Sequence, residues 1–469
     1  MDKSTITAVF AAGIVMVASG CGAEQSGGGY GAYRWPVESA RGVSAGVVAP
    51  VGPARLPELT ESSGLSDYLA YAALNNPGLE AAFNRWKAAL ERVPQVKALP
   101  DPRFTYTYYV QEVETRVGPQ EQGFGIAQVF PWFGKLKLRG DVVGEAAMAA
   151  RKRYEAAKLK LFFEVKDAYY EYYYLAKSVA VTRENIALVK HLESVVRSRY
   201  KTAAGTHPDV IRAQVEMGKL EDRYQGLLDL RHPVVARLNA ALNRDAEAEL
   251  PWPTEVSMEE VNAVDAELLA ELAVENPELA ALGFEVESSR RAVELAKKDY
   301  YPDISLGVSV IDTDRATGSP SDNGKDPVMG ILSLNVPIWR EKYDAGVREA
   351  QARYYAARAE KIEKTNSLSS ELKLALYGLR DASRKIDLYG KTLLPKARES
   401  LKVTESSFRA AAGSFTDLID AQRVLLEFEL AYERALADYG QSLARVEMLV
   451  GREIRDSRND KRDSTVEQK

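Results

Sequence analysis

The feature that most constrains this chain is an internal repeat. Asn76-Pro77 returns as Asn276-Pro277, 276 − 76 = 200 residues later. Phe130-Pro131 returns as Val336-Pro337 and Gly140 as Gly346, each displaced by 206. Gly205 returns as Gly413 and Ala213-Gln214 as Ala421-Gln422, each displaced by 208. An offset that drifts so slowly over so many landmarks marks a duplicated unit of about 200 residues, and such a period sets the architecture before any local pattern does. It divides the chain into a first repeat over 58–252 and a second over 253–451.

Each repeat reads as helix, strand pair, long helix, turn, long helix. The first long arm, Gly140 to Gly205, covers 205 − 140 = 65 residues, roughly 100 Å at ~1.5 Å per residue if largely continuous. No compact core needs such a rod. Ala147, Ala150, Tyr154, Ala157 and Leu161 recur with coiled-coil spacing. So do Leu418, Ala421, Leu425, Phe428, Tyr432, Ala435 and Tyr439, in strict 3-4 alternation. The cluster Phe162, Phe163, Tyr169, Tyr170, Tyr172, Tyr173 and Tyr174 covers more than one helix face, which implies packing in a core or interface; an aromatic ligand site is the competing use. The aromatic composition, 24 Tyr against 12 Phe, leaves many amphipathic rings to be placed.

Between the helices the period changes to two. Phe104, Tyr106, Tyr108 and Val110 alternate with Thr105, Thr107, Tyr109 and Gln111, and Ile304-Ser305-Leu306-Gly307-Val308-Ser309-Val310 alternates apolar with small or polar. Partner strands are expected near Gln122 to Phe130 and Val328 to Val336, giving strand pairs over 103–130 and 303–336 joined by polar loops at Glu114 to Glu121 and Asp312 to Pro327. Strands of this length with one apolar face suit a transmembrane β-barrel, and equally two hairpins on a soluble domain. Four strands cannot close a membrane barrel, and an open edge in lipid leaves backbone groups unsatisfied. Membrane-spanning strands would therefore require assembly, and a trimer supplies 3 × 4 = 12 strands.

Residues 1–20 read as a signal peptide, with Lys3 ahead of an apolar stretch too short for a permanent span. Ala18-Ser19-Gly20-Cys21 resembles a bacterial lipobox, departing from it at Ala18 where Leu is usual, so Cys21 is the expected lipidation site. Residues 21–57 carry Gly27-Gly28-Gly29, Pro36, Pro50, Pro53 and Pro57 and read as a tether. The tail 452–469 is densely charged and reads as disordered. With 62 basic against 67 acidic residues, a net charge of −5, nothing steers the chain toward nucleic acid. One Cys and three His exclude a disulfide framework or a Cys/His zinc site. His191, His207 and His232 lie far apart in sequence and read as surface or turn residues. No P-loop, nucleophile elbow or metallohydrolase spacing is present, so neither an enzyme nor a cofactor is expected.

Over residues 60 to 452 the pattern resembles the TolC-like outer membrane factor family, the exit ducts of tripartite efflux and type I secretion machines. The resemblance rests on the two Asn-Pro pairs, on Tyr301-Pro302 leading into a strand, and on Pro337-Ile338-Trp339 followed by Gly346. Its strongest stretch is Gly413 with Asp417-Leu418-Ile419-Asp420-Ala421-Gln422, then Tyr432, Asp438-Tyr439, Glu447 and Gly451. Gln128-Val129-Phe130-Pro131-Trp132-Phe133-Gly134-Lys135 is similar to the heavy-metal-resistance branch. The resemblance implies a mostly α fold with a small β part, in which a homotrimer forms a 12-stranded barrel in outer membrane lipid on a helical periplasmic tunnel. It also implies docking on a periplasmic adaptor and an inner membrane pump of the resistance-nodulation-division class.

In that family acidic residues just after the second hairpin turn line the tunnel entrance, and the matching positions are Asp417 and Asp420. Three-fold symmetry would make each a ring of carboxylates that narrows a pore and attracts cations. Ser414-Phe415-Thr416-Asp417 also fits a capping box, as does Thr206-His207-Pro208-Asp209, so Asp417 has a structural use as well. Asp420 aligns with Arg212, and an Arg212 to Asp420 pair is the expected lock. The turns at Gly205 and Gly413 are the expected adaptor-docking tips. Two other classes compete: an adaptor, which would carry one hairpin flanked by lipoyl-like β segments, and a structural coiled-coil lipoprotein, which would lack matched strand pairs.

Overall fold

The computed structural model describes residues 58–253, 264–317, 321, 323–410 and 412–454. The signal segment, the tether with Cys21 and all but the first three residues of the charged tail lie outside the described residues. In chain order the elements are α1 Leu65–Asn75, α2 Pro77–Lys97, β1 Arg103–Val113, β2 Gln120–Phe130, α3 Lys135–Lys201, α4 His207–Asp229 and α5 Arg231–Leu242. The second repeat gives α6 Asp265–Glu275, α7 Pro277–Lys298, β3 Ile304–Thr313, β4 Val328–Leu334, α8 Arg340–Leu388, a π turn Tyr389–Leu393, α9 Leu394–Arg409 and α10 Phe415–Val450. No helix among the described residues is long and apolar enough to cross a membrane. The chain divides into a sheet unit, which takes in Glu91–Val143 and Ser289–Arg353, and a helical unit built on Gly144–Ser288 with the described parts of Gly46–Leu90 and Tyr354–Lys469.

In the sheet unit both expected strand pairs form, and β2 also pairs with β3, so the two repeats share one antiparallel sheet of order β1-β2-β3-β4. β4 stops at Leu334, short of the expected Val336, where Pro337 has no N–H for a ladder and restricts the residue before it. β1 runs on to Val113, beyond the clean alternation, with an irregular register between Tyr108 and Val113. The register puts Phe104, Ile126 and Val308 side by side on one face, with Tyr106, Phe124, Val310 and Val328 on the next rung. This face is apolar yet uncovered: Phe104, Tyr108 and Val110 are 61%, 65% and 90% exposed. Apolar surface of this extent, on strands of 7 to 11 residues, calls for an apolar neighbour. The opposite face is mixed: Thr105, Thr107, Gly123, Gly125, Gly307 and Ser309 line a hollow of about 290 Å³ together with Ile311, Met329 and Ile331.

The strand ends are pinned by the Trp132-to-Lys135 segment. Trp132 stacks on Tyr301, with ring centroids 5.4 Å apart and planes 12° apart. The Lys135 Nζ donates to Asp303 Oδ1 at 2.9 Å and to the Tyr301 carbonyl at 3.2 Å, and the Trp132 backbone N–H donates to the same Asp303 oxygen at 2.8 Å. The Lys135 side chain is only 4% exposed. Phe133, Ile338 and Trp339 stand outward, two-thirds or more exposed.

The helical unit explains the Asn-Pro landmarks. Proline sits at the first position of α2 and α7, where no N–H is needed. The asparagine before it caps the helix: Asn76 Oδ1 accepts from Leu79 N at 3.0 Å, and Asn276 Oδ1 accepts from Glu278 N and Leu279 N at 2.9 and 3.0 Å. Each amide then donates to the last turn of its own repeat's return helix, Asn76 to Ala241 O at 3.1 Å and Asn276 to Leu449 O at 2.8 Å. Those carbonyls are 449 − 241 = 208 residues apart, the late offset of the duplication. The same device is thus built twice. Asn276→Ala should cost about 2–3 kcal/mol, a lost cap plus an orphaned buried carbonyl. Asn76→Ala, at a half-buried site, should cost less; urea unfolding of the two variants checks the order.

The repeats differ in where their arms break. α3 is one helix of 67 residues, whereas the second repeat's arm carries the π turn. Along that arm the displacement grows from 206 to 208, so the second copy has two residues more to accommodate. The return arm is continuous in α10 but divided at Leu230 in the first repeat, where Pro233 has no N–H for the Asp229 carbonyl. Seam positions Ala147, Tyr154, Leu161, Leu418, Leu425, Ala435 and Tyr439 are buried. The tyrosine cluster is core: Tyr169, Tyr170, Tyr172 and Tyr173 are all buried, and Tyr172 donates to Leu250 O at 3.1 Å while stacking on Trp252. Gly440 is required beneath it, because a Cβ there would lie 2.5 Å from the Tyr170 ring.

Candidate functional site

The residues singled out for gating and docking lie at the two helix turns of the helical unit. Beneath them is one apolar cluster drawn from both repeats, with Leu192, Val196, Val210 and Ala213 from the first and Phe408, Phe415, Leu418 and Ile419 from the second. Burial of this set fixes the two turns side by side, so the polar residues above them are held in place.

Gly205 and Gly413 occupy equivalent positions. A Cβ on Gly205 would meet Arg199 Cβ at 3.2 Å, and one on Gly413 would meet Ser407 Cβ at 3.2 Å, so close approach of the preceding turn is what each site demands. The left-handed residue of the first turn is not the glycine but Ala203, at φ 57°. Ala203 thus holds the αL conformation itself, which bears a local strain of about 1 kcal/mol.

Asp417 lies exposed in the first turn of α10, and its backbone N–H donates to Ser414 Oγ at 3.1 Å. Ser414 is thus the N-cap, as the capping pattern expects. The first repeat departs from that pattern: Thr206 makes no side-chain cap to the helix backbone, and its hydroxyl donates to Asp209 Oδ2 at 2.6 Å instead. Within one chain Arg212 donates to Thr416 Oγ1 at 2.5 Å and lies 3.8 Å from Asp209, while Asp420 pairs with Arg423 at 3.3 Å. These are the partners the chain supplies; Arg212 and Asp420 do not meet inside it.

Two arginines that pattern reasoning missed tie the turns together. Arg423 grips Glu216 through two bonds, Nε to Oε1 at 3.1 Å and Nη2 to Oε2 at 2.5 Å. The Glu216 side chain is 7% exposed, and the hydrogen bond from Arg423 holds its carboxyl below the usual carboxylate range. Arg199 lies over the Phe408 ring at 4.5 Å and donates to the carbonyls of Phe408 and Ala204. The available signal was asymmetry at the 208 offset: Arg423 stands against Val215, Glu216 against Val424 and Arg199 against Ser407. A charge present in one repeat and absent from the other marks a contact that is not repeated.

His191, His207 and His232 are exposed and lie on different helices. Among the described residues no three His, Cys, Asp or Glu side chains are grouped so as to hold a metal ion. The site offers charge, hydrogen bonds and a packed apolar base.

The chain is 20% identical to Nodulation protein T of Rhizobium leguminosarum bv. trifolii over 82% of this chain and 85% of that protein. It is 21% identical to the cobalt-zinc-cadmium resistance protein CzcC of Cupriavidus metallidurans over 82% and 89%. The fold superposes on the crystal structure of the outer membrane protein VceC of Vibrio cholerae with a TM-score of 0.68 at 16% identity, covering 83% of this chain and 97% of that one. Residues 69–244 and 268–452, one span in each repeat, match the outer membrane efflux protein family, and the chain belongs to that family.

Proposed function

We propose that three copies of this chain form a passive exit duct in the outer membrane, the channel component of a tripartite efflux system. The observation that carries this reading is the sheet: four antiparallel strands with one bare apolar face, an opposite face that mixes small, hydroxylic and apolar side chains, and two unpaired edges, β1 and β4. A sheet of this kind is stable in lipid only when its edges are paired, and four strands fall short of the eight that begin single-chain barrels. Three copies give twelve strands, with the bare apolar face toward lipid and the mixed face toward the lumen. In this reading Cys21 carries the lipid that anchors the chain, and the turns at Gly205 and Gly413 dock a periplasmic adaptor beneath which stands an inner membrane pump of the resistance-nodulation-division class. The relative named for cobalt, zinc and cadmium resistance supports heavy-metal cations as cargo.

Asp417 and Asp420, both exposed beside the entrance turns, would stand as two rings of three carboxylates. Purified from outer membranes in detergent, the protein should have three times the mature chain mass and conduct in a planar bilayer. Asp417→Ala with Asp420→Ala should relieve block by divalent cations by about tenfold, the loss of charged rings at a constriction. A monomer without conductance sinks the duct; a conducting trimer whose block is unchanged removes the two aspartates from the gate.

A further inference from the structure

We infer that the helical unit holds a binding groove for amphipathic organic cations, at the junction where α7 begins and α10 ends. The groove belongs to a single chain; its use as a resting place for cargo rests on the duct proposed above.

The cavity follows from the way the junction is built. Asn276 caps α7 and ties it to the Leu449 carbonyl in the last turn of α10, so a helix start and a helix end share the space between α3 and α8. Two helix ends fill such a space less completely than one continuous helix, and several side chains over the gap are small, among them Ala156, Ala157 and Ala281. A groove of about 740 Å³ remains, within the size of sites that take small molecules. Its floor is apolar, with Leu159, Phe163, Leu282, Leu368 and Met448. Met448 is unbranched and can follow varied apolar shapes.

Charge decides what the groove can hold. Five carboxylates line it, Glu164, Glu278, Glu360, Glu363 and Glu371, against the three cations Arg153, Lys160 and Lys364, a balance of 3 − 5 = −2. Every one of those cations is already engaged: Arg153 with Glu285, Lys160 with Glu164 at 3.9 Å and Lys364 with Glu278 at 2.9 Å. Glu371 lies 3.7 Å from Arg445, a cation outside the lining. Glu360 and Glu363 are left over, one turn apart on α8, both exposed and with no cationic partner among the described residues. At the displacement of 206 they stand against Tyr154 and Ala157, so the duplication does not account for them.

An anion is repelled here, and a bare metal ion finds no cluster of three ligands among the described residues. An organic cation uses both halves of the groove, its charged head at Glu360 and Glu363 and its hydrocarbon on the apolar floor. Exposed carboxylates hold such a head weakly, because water screens them. Weak binding suits a duct, since cargo that enters must also leave. The bare apolar side chains of this stretch of α8, Tyr355 and Ile362, lie about a quarter turn or more around the helix from Glu360 and Glu363, so covering them leaves the carboxylates open.

Equilibrium dialysis of the full-length protein in detergent, against a detergent blank, reads the site with tetraphenylphosphonium as the probe. One ion should bind per chain. Tetraphenylborate, the same shape with the opposite charge, and tetramethylammonium, the charge without the rings, should each bind at least about tenfold more weakly. Glu360→Gln with Glu363→Gln, isosteric and on the surface, should weaken tetraphenylphosphonium by about tenfold and leave tetraphenylborate no weaker. Equal binding of the phosphonium and the borate, or unchanged phosphonium binding in the glutamine variant, overturns the assignment. So does binding that appears only once residues 455–469 are removed, which gives the groove to the chain's own charged tail. Dialysis requires neither conduction nor a given number of chains: a monomer that binds the cation sinks the duct and keeps the groove, and a conducting trimer that fails to bind it sinks the groove alone.

Discussion

Asp303→Ala is expected to destabilise the sheet unit by about 3–5 kcal/mol, the usual cost of removing one partner from a buried ion pair. The carboxylate accepts from both the Lys135 ammonium and the Trp132 backbone N–H. Its loss strands a cation whose side chain is 4% exposed, leaving it the Tyr301 carbonyl and Asp299 at 3.5 Å. The weakly compensated charge should release the stacked Trp132 and Tyr301 rings with it. Lys135→Met in the same chain should recover much of the loss, because the aliphatic side chain asks for no acceptor. Urea titration in detergent, followed by tryptophan fluorescence, reads both variants. Additive losses in the double variant would mean that the two side chains act independently and that the pair does not pin the strand ends.

The duplication and the strand alternation were legible because each rests on a strict spacing that packing preserves. Asn76-Pro77 and Asn276-Pro277 could be matched in sequence, although their purpose, a cap joined to a tie onto the return helix, depends on carbonyls at Ala241 and Leu449 that no local pattern identifies. The β2 to β3 pairing was not anticipated, since strands 304 − 130 = 174 residues apart leave no turn signal between them. At the two helix turns the Ser414 cap was readable from its position, but the Thr206 cap was not, because Asp209 competes for the same hydroxyl. The expected Arg212 to Asp420 pair assumed that aligned positions meet. The structure pairs each with a nearer group, Thr416 and Arg423, and places the buried fork at Glu216 one helical turn further on. Which of several charges finds a buried partner is decided by the apolar base beneath them, and that base is assembled from both repeats.

In the proposed duct, Glu216→Gln is expected to raise the open probability at neutral pH several-fold, since the Arg423 fork joins a return helix of one repeat to that of the other beside the two turns. With Arg423 about half exposed, the fork is worth about 1–2 kcal/mol after screening, enough to shift a two-state equilibrium by roughly tenfold. Its dependence on pH has a definite sign. The bond from Arg423 sets the Glu216 pKa below its ordinary value of 4.5, so the fork stabilises the joined turns at all pH above that value and is lost as pH falls through the lowered one. Conductance of the unmodified duct should therefore stay flat from about pH 7 to about pH 5 and rise only at more acid pH. Glu216→Gln should abolish that acid rise, having no proton to take up. The exchange Glu216→Arg with Arg423→Glu should restore closure, because the fork needs complementary charge across the turns and is indifferent to which repeat supplies it. A flat acid response in the unmodified protein, or an exchanged variant as open as Glu216→Gln, would assign closure to the apolar cluster of Phe408, Phe415 and Leu418 beneath the turns, with the fork as a surface ornament on it.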